Sequence, residues 1–239
     1  MPTPGLMFVG SKVTNPKLTD AEYNKFYDEE HLPDVLAILK REGISNAFAL
    51  RYKNTTNNHS YMPYLALYPL PVAQWIYTSD QKRFGEETKK SKILGVDNIR
   101  EHIDFHFRPY EKIQTYEGFK DASRTGKDRG RTLIYVAMEP GTSEEQEKDF
   151  EDWYRKHHLD VMAMIPEYKR TVRYKRMDGE KPRYLAFHEY ACRPEDLPTA
   201  MIGRTRETEW SKKILAECQI FDRDVFELIE EQGAIDEKL

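Results

Sequence analysis

The sequence predicts an α+β fold made of two tandem βαββαβ repeats, packed sheet against sheet within one chain. Three observations carry this: short motifs recur in one order in both halves, each half opens with an apolar strand and a helix-capping box, and β-rich segments and turn signals follow at matching places. The stretch "KFYDEEHLPDVLAI" (25–38) lines up with "DWYRKHHLDVMAMI" (152–165) once Pro33 is treated as an insertion. Upstream, "LMFVGSKV" (6–13) matches "TLIYVAME" (132–139). Downstream, "RYK" (51–53) returns at 173–175, "YLALY" (64–68) as "YLAFH" (184–188), and "SKIL" (91–94) as "KKIL" (212–215). Five matches in the same order point to a tandem duplication.

The first strand is the apolar run Leu6–Val9, closed by a turn at Asn15-Pro16. Thr19-Asp-Ala-Glu22 is a capping box that starts a helix, and Ser143-Glu-Glu-Gln146 does the same in the second half for a helix about one turn longer. Strands follow at 47–52 and 64–68, with Asn54 to Asn58 as the loop between them. Pro69-Leu-Pro71 is expected to end the strand, a helical region to run to Leu94, and a last strand to cover 99–107. The second half repeats this, with Asp178-Gly179 as hairpin turn and Arg193-Pro194 ending its third strand. The boundaries are 1–115 for the first repeat, 116–131 for a charged, glycine-containing linker, and 132–239 for the second. Two βαββαβ units are two ferredoxin-like halves, each sheet carrying helices on one face and needing cover on the other. An intramolecular pseudo-dimer would supply that cover, and its further pairing into a homodimer is left open.

Composition narrows the function classes. The charged fraction of 33% and hydrophobic fraction of 39% suit a soluble protein, and no apolar run approaches the ~18 residues of a membrane span. The net charge of −4 with scattered Lys and Arg argues against a nucleic-acid surface. Cys192 and Cys218 form neither a disulfide framework nor a metal-ligand spacing, the N-terminus lacks the features of a signal peptide, and the cytoplasm is the expected location. The 15 Tyr and 11 Phe exceed what a plain scaffold needs and suit pockets for aromatic ligands.

On the first helix Tyr23, Phe26, Tyr27, Glu30, His31 and Asp34 fall on one face. Phe150, Trp153, Tyr154, His157 and His158 reproduce this in the second half, so His31 and His158 are equivalent. A histidine on a buried face is either a satisfied core residue or a catalyst. Its retention while Asp28-Glu29-Glu30 became Arg155-Lys156-His157 favours the second more than one helix alone would. Imidazole titrates near ~6.5 and is moved by burial or by a carboxylate, here Glu30 or Asp34. Pro33 is expected to kink or end the helix and to open a gap beside His31.

An aromatic pair, acids, and then His-Leu-Pro-Asp (31–34) after a βα entry resembles the EthD-type branch of the dimeric α+β barrel superfamily, across both halves. The resemblance implies an intramolecular dimeric α+β barrel with a cofactor-free pocket between sheet and helices, of the kind used in fungal polyketide tailoring. Members include muconolactone isomerases, polyketide cyclases, decarboxylases and dehydratases of aromatic polyketides, oxygenases working without metal or flavin, and proteins of no known activity. Only His31 stands in the full His-x-Pro context; Leu159 is followed directly by Asp160, so the second half is either a structural copy or a contributor to the first site.

Other candidates are weaker. His102 and His106 lie four apart on a strand, roughly 13 Å at ~3.3 Å per residue, too far to share an ion. His157 and His158 diverge by about 100° on a helix. No phosphate loop or nucleophile motif appears, so neither metal nor nucleotide cofactor is expected. Arg51 and Arg173 occupy matched strand positions, read either as exposed strand residues or as anchors for a carboxylate or enolate. Tyr64, with its match Tyr184, and Trp75 are candidate pocket walls.

The expected function is a cofactor-independent lyase or isomerase, carrying out dehydration, decarboxylation or cyclisation by histidine acid–base catalysis on a small aromatic or polyketide-derived metabolite. His31 would be acid or base, Glu30 or Asp34 would tune it, Tyr27 would donate a hydrogen bond, and Phe26, Arg51, Tyr64 and Trp75 would bind substrate. His158, His157, Tyr154 and Arg173 form a second candidate site. The alternatives are a non-catalytic module for a small hydrophobic ligand and a cofactor-free oxygenase.

Overall fold

The computed structural model describes residues 2–56, 62–118 and 128–239, with 79–82 as backbone only. The expected loop residues Asn57 and Asn58 and the linker stretch 119–127 lie outside the described residues. The chain divides into two compact units, Met1–Lys112 with Leu228–Leu239, and Ile113–Glu227.

Both units mix helices and antiparallel strands in one element order. Unit 1 runs β1 (Gly5–Val13), α1 (Asp20–Phe26), a π-turn Tyr27–His31, α2 (Leu32–Arg41), β2 (Phe48–Asn54), β3 (Tyr64–Leu70), α3 (Ser79–Glu87) and β4 (Ile103–Tyr116). Unit 2 runs β5 (Thr132–Glu139), α4 (Glu144–Trp153), a π-turn Tyr154–His158, α5 (Leu159–Ala163), β6 (Tyr168–Arg176), β7 (Tyr184–Tyr190), α6 (Thr199–Arg204), α7 (Glu209–Glu217) and β8 (Ile220–Gly233). Strands pair in the order β2-β3-β1-β4 in unit 1, and β6-β7-β5-β8 in unit 2.

The capping boxes form as the sequence reads: Glu22 N–H donates to Thr19 Oγ1 at 3.2 Å and Gln146 N–H to Ser143 Oγ at 3.1 Å. Amphipathic helices then lay Tyr23, Phe26, Leu32, Val35 and Leu39 on the unit 1 sheet, while Phe150, Trp153, Leu159 and Met162 do so in unit 2. The tail after Glu227 counts with unit 1, where Ala234 N–H donates to Ala47 O at 3.1 Å and Lys112 Nζ to Leu239 O at 2.8 Å.

Several expected details are corrected. Pro33 neither ends nor breaks the helix: it stands just past the π-turn, the Asp28 carbonyl one turn back accepts from Gln232 Nε2 at 2.8 Å in place of the missing proline N–H, and the helix continues to Arg41. The irregularity precedes it, as a π-turn in which Leu32 N–H donates to Tyr27 O. Unit 2 has the same π-turn, Leu159 N–H to Tyr154 O, without any proline. Pro33→Ala should therefore leave the π-turn intact and cost under about 1 kcal/mol, mostly through the freer unfolded chain; urea unfolding and a crystal structure check both.

Pro69 lies inside β3, which runs on to Leu70. The last strand of unit 1 starts at Ile103, because 99–101 is a 3₁₀ turn, and extends to Tyr116. The pair "SKIL"/"KKIL" is not equivalent in structure. Residues 212–215 belong to α7, whereas α3 ends at Glu87 and Ser91 to Val96 is a turn bridged by its own backbone. The β1/β5 match moves by one residue. Met7 pairs with Tyr68 and Ile134 with His188, so Met7 corresponds to Ile134, not to Leu133. On a strand, one residue decides which face a side chain takes.

Candidate active site

The π-turn is what places His31. One extra residue in the turn brings its ring against Tyr27 (centroids 4.8 Å) and Phe26 (5.4 Å), on the sheet side of the helix. The imidazole is on the wall of an apolar pocket of about 130 Å³ in unit 1. Met7 and Val9 of β1, Tyr68 of β3, and Phe105 and Phe107 of β4 form the sheet side, with Lys89 and Arg100 on the helical side. A cavity of about 150 Å³ holds a benzene ring, so this one has room for a single aromatic ring.

Burial pushes the His31 imidazole down to about 4; the Arg51 charge acts in the same direction and Glu30 opposes it. The ring is therefore neutral at pH 7. Among the described residues no side chain hydrogen-bonds it, so a nitrogen is available to a ligand. Tyr68 reaches the wall by strand register, opposite Met7. Its hydroxyl and that of Tyr27 are buried close to each other.

The other sequence candidates are spread out. Glu30 turns to the 91–93 turn, accepting from Ser91 Oγ at 2.5 Å and Lys92 N–H at 2.7 Å. Burial works against its charge, but these bonds hold its carboxyl below the usual range. Asp34 is exposed, and partial burial, then Glu30, raises its carboxyl. Tyr64 packs on Tyr23 (4.7 Å), Phe26 is in the core, and Trp75 packs on its edge; none of the three lines the pocket.

Arg51 is buried rather than exposed. Its guanidinium pairs with Asp28, donates to Asn24 Oδ1 at 2.8 Å and lies 4.3 Å from the Tyr27 ring centroid. Arg173 repeats this beneath Tyr154, at 3.9 Å, donating to Glu151 at 2.5 Å and Gln114 at 2.9 Å. Both arginines hold the helix onto the sheet. Arg51→Ala should cost about 3–5 kcal/mol, toward the lower end because Asp28 can rehydrate, read from the urea midpoint.

Unit 2 has a matching but smaller pocket of about 40 Å³, with His158 and His188 on its wall. His158 stacks on Trp153 (4.2 Å), and its Nδ1 is buried without a partner. His157 points elsewhere, bonding Thr208 Oγ1 at 3.0 Å and stacking on Trp210. Tyr154 and His158 both line the pocket; Arg173 and His157 do not.

No protein-family model matches the chain. It is 25% identical over 208 residues to core atranone cluster protein 1 of Stachybotrys chlorohalonatus, covering 80% of this chain and 83% of that one. Its fold is shared with an anthrone oxidase-like protein (TM-score 0.51, 11% identity, 98% of this chain and 94% of the other). It is also shared with a chlorite dismutase variant from Candidatus Nitrospira defluvii (TM-score 0.58, 9% identity, 96% and 93%). These solved structures are of the dimeric α+β barrel type. One fold carrying such different names leaves the chemistry to the site itself. Among the described residues no cluster of His, Cys, Asp and Glu could hold a metal, and no helix is long and apolar enough to cross a membrane.

Proposed function

We propose that unit 1 is a catalytic half that removes a proton from a small aromatic, polyketide-derived molecule, with His31 as the base and no cofactor in the step. The carrying observation is a neutral, unengaged imidazole on the wall of an apolar pocket sized for one aromatic ring. Deprotonation of a C–H beside a carbonyl gives an enolate and an imidazolium. The enolate then expels a β-hydroxyl, which leaves as water with the His31 proton, or the proton returns at another carbon. The first outcome is a dehydration and the second an isomerisation. A desolvated imidazole is a weak base alone, but the anion it creates sits beside it in low dielectric and stabilises its charge. Arg100 adds positive charge on the helical side, whereas Lys89 is paired with Glu86.

The likeness to a fungal cluster protein supports a place in secondary metabolism, and the His-Leu-Pro-Asp context supports assignment to the EthD-type branch. The repeated element order supports descent from one duplicated ferredoxin-like unit. A second reading is an oxygenase: the anthrone oxidase-like relative shares the fold, and a carbanion formed in an apolar pocket is accessible to dissolved O₂.

A panel of single-ring phenols, hydroquinones, aryl ketones and aromatic β-hydroxy ketones, with hydroxylated anthrones as a size control, tests these readings by mass spectrometry with an oxygen electrode. Loss of water or rearrangement without O₂ uptake supports the lyase or isomerase. O₂ uptake with a quinone product supports the oxygenase. Saturable binding with unchanged ligand overturns both and leaves a binding module.

A further inference from the structure

The unit 2 pocket is the unit 1 pocket with its chemistry exchanged. Strand register sets the equivalences: Val9 pairs with Phe107 and Val136 with Arg223, while Met7 pairs with Tyr68 and Ile134 with His188. Position for position, Phe107 has become Arg223 and Tyr68 has become His188. Phe105 corresponds to Phe221, which keeps its aromatic ring. Arg206, from the turn after α6, also lines the unit 2 pocket.

These changes bring two guanidiniums to one small pocket, with the Asp224 carboxylate only partly offsetting Arg223. Among the described residues neither Arg206 nor Arg223 forms an ion pair. Arg223 lies on the helix-facing side of the sheet with Val136, which stands beside it on β5, and Ile202 and Leu215. Its neighbours on the strand, Asp222 and Asp224, alternate to the other face. Burial, then the Arg206 charge, lowers the Arg223 guanidinium, with Tyr190 and Asp224 opposing. Two guanidiniums close enough to repel each other are stabilised by an anion between them. The buried His158 Nδ1, without a partner, lines the same pocket as a further donor in its N–H tautomer. His188 Nδ1 is already engaged with Thr171 Oγ1 at 2.7 Å, which fixes the ring.

We propose that the unit 2 pocket is a binding site for a small planar oxyanion of the carboxylate or carbonate class, held by Arg206 and Arg223 with His158. Size sets the class. At ~10–15 Å³ per water, 40 Å³ holds about three or four waters, or an oxyanion of three or four heavy atoms such as formate or bicarbonate. A benzene ring does not fit. Unit 2 is then neither a spare active site nor an inert copy.

Sodium formate is the probe, against sodium chloride at equal ionic strength, with the full chain. Formate should raise the melting temperature saturably, by a few degrees at concentrations far above its Kd, while chloride gives only a small unsaturating change. It should also move the His158 and His188 ring signals in ¹H–¹³C spectra. Arg223→Phe, which restores the unit 1 residue, should weaken formate at least tenfold; Arg206→Gln, at an exposed position, is the second variant should the first fold poorly. Bicarbonate and acetate in parallel distinguish the carbonate from the carboxylate source. Equal shifts with formate and chloride, unmoved histidine signals, or undiminished binding in Arg206→Gln and Arg223→Phe would each overturn the site.

Discussion

Replacing His31 with alanine is expected to lower kcat by about 10²–10⁴-fold on whichever panel compound the protein turns over, the usual worth of a placed acid–base group. The loss should appear mainly in kcat, because the apolar wall that binds the ring remains and the cavity only grows. A purely structural histidine would show the opposite split, with KM and melting temperature moving and kcat little changed. The pH profile gives an independent check. The base must be unprotonated, and burial holds the His31 imidazole near 4. The rate should therefore be flat from about pH 8 down to about pH 5 and fall only below that, as protonation removes the base. An acid limb centred near ~6.5, the value of a hydrated imidazole, would mean that the reacting group is not this buried ring. Oxygen uptake abolished together with turnover would place His31 before the oxygen step, as expected if both readings share one enolate.

How much of this was legible in the sequence varies by residue. The two capping boxes rest on local patterns and are present in the fold, and His31 and His158 each end a π-turn of the same length. The π-turn was not legible. It adds a residue without any distinctive side chain, and Pro33, the conspicuous irregularity, is a bystander two residues after its end. Register misled at β1/β5, since "LMFVGSKV" and "TLIYVAME" are both apolar on both faces and similarity alone cannot fix a one-residue shift. The pairing within unit 1 is not legible from local pattern either: Met7 opposite Tyr68, and Val9 opposite Phe107, bring Tyr68, Phe105 and Phe107 together around His31. Arg51 was read as exposed or substrate-facing because its strand neighbours do not reveal that Asp28 and Tyr27, from the helix, enclose it. Glu30 falls by spacing on the same broad face as His31, but it is at the edge of that stripe, and its hydrogen-bond partners lie some sixty residues away in the 91–93 turn.

Acid should destabilise this protein earlier than its carboxylates alone would. His31, His158 and His188 are buried and neutral, and all three are pushed down, chiefly by burial, to about 4 for His31 and about 3 for His188. The unfolded chain binds protons on these rings near ~6.5. Between that value and the folded ones, the unfolded state therefore holds more protons, and stability falls as pH falls. Each ring contributes about 1.4 kcal/mol per pH unit within the window, so three together approach about 4 kcal/mol per unit, against a total of roughly 5–15 kcal/mol. The urea midpoint should thus drop steeply from pH 6.5 to pH 5, before most carboxylates titrate. His158→Phe separates this from general acid sensitivity. The ring stacked on Trp153 is kept and the partnerless Nδ1 is removed, while the adjoining cavity gives the extra atoms room. That variant should be as stable as the parent or more so at pH 7, and should lose about a third of the slope below pH 6.5. A slope unchanged by the substitution would mean that His158 is already hydrated in the native state, and a flat midpoint from pH 7 to pH 5 would mean that all three rings are.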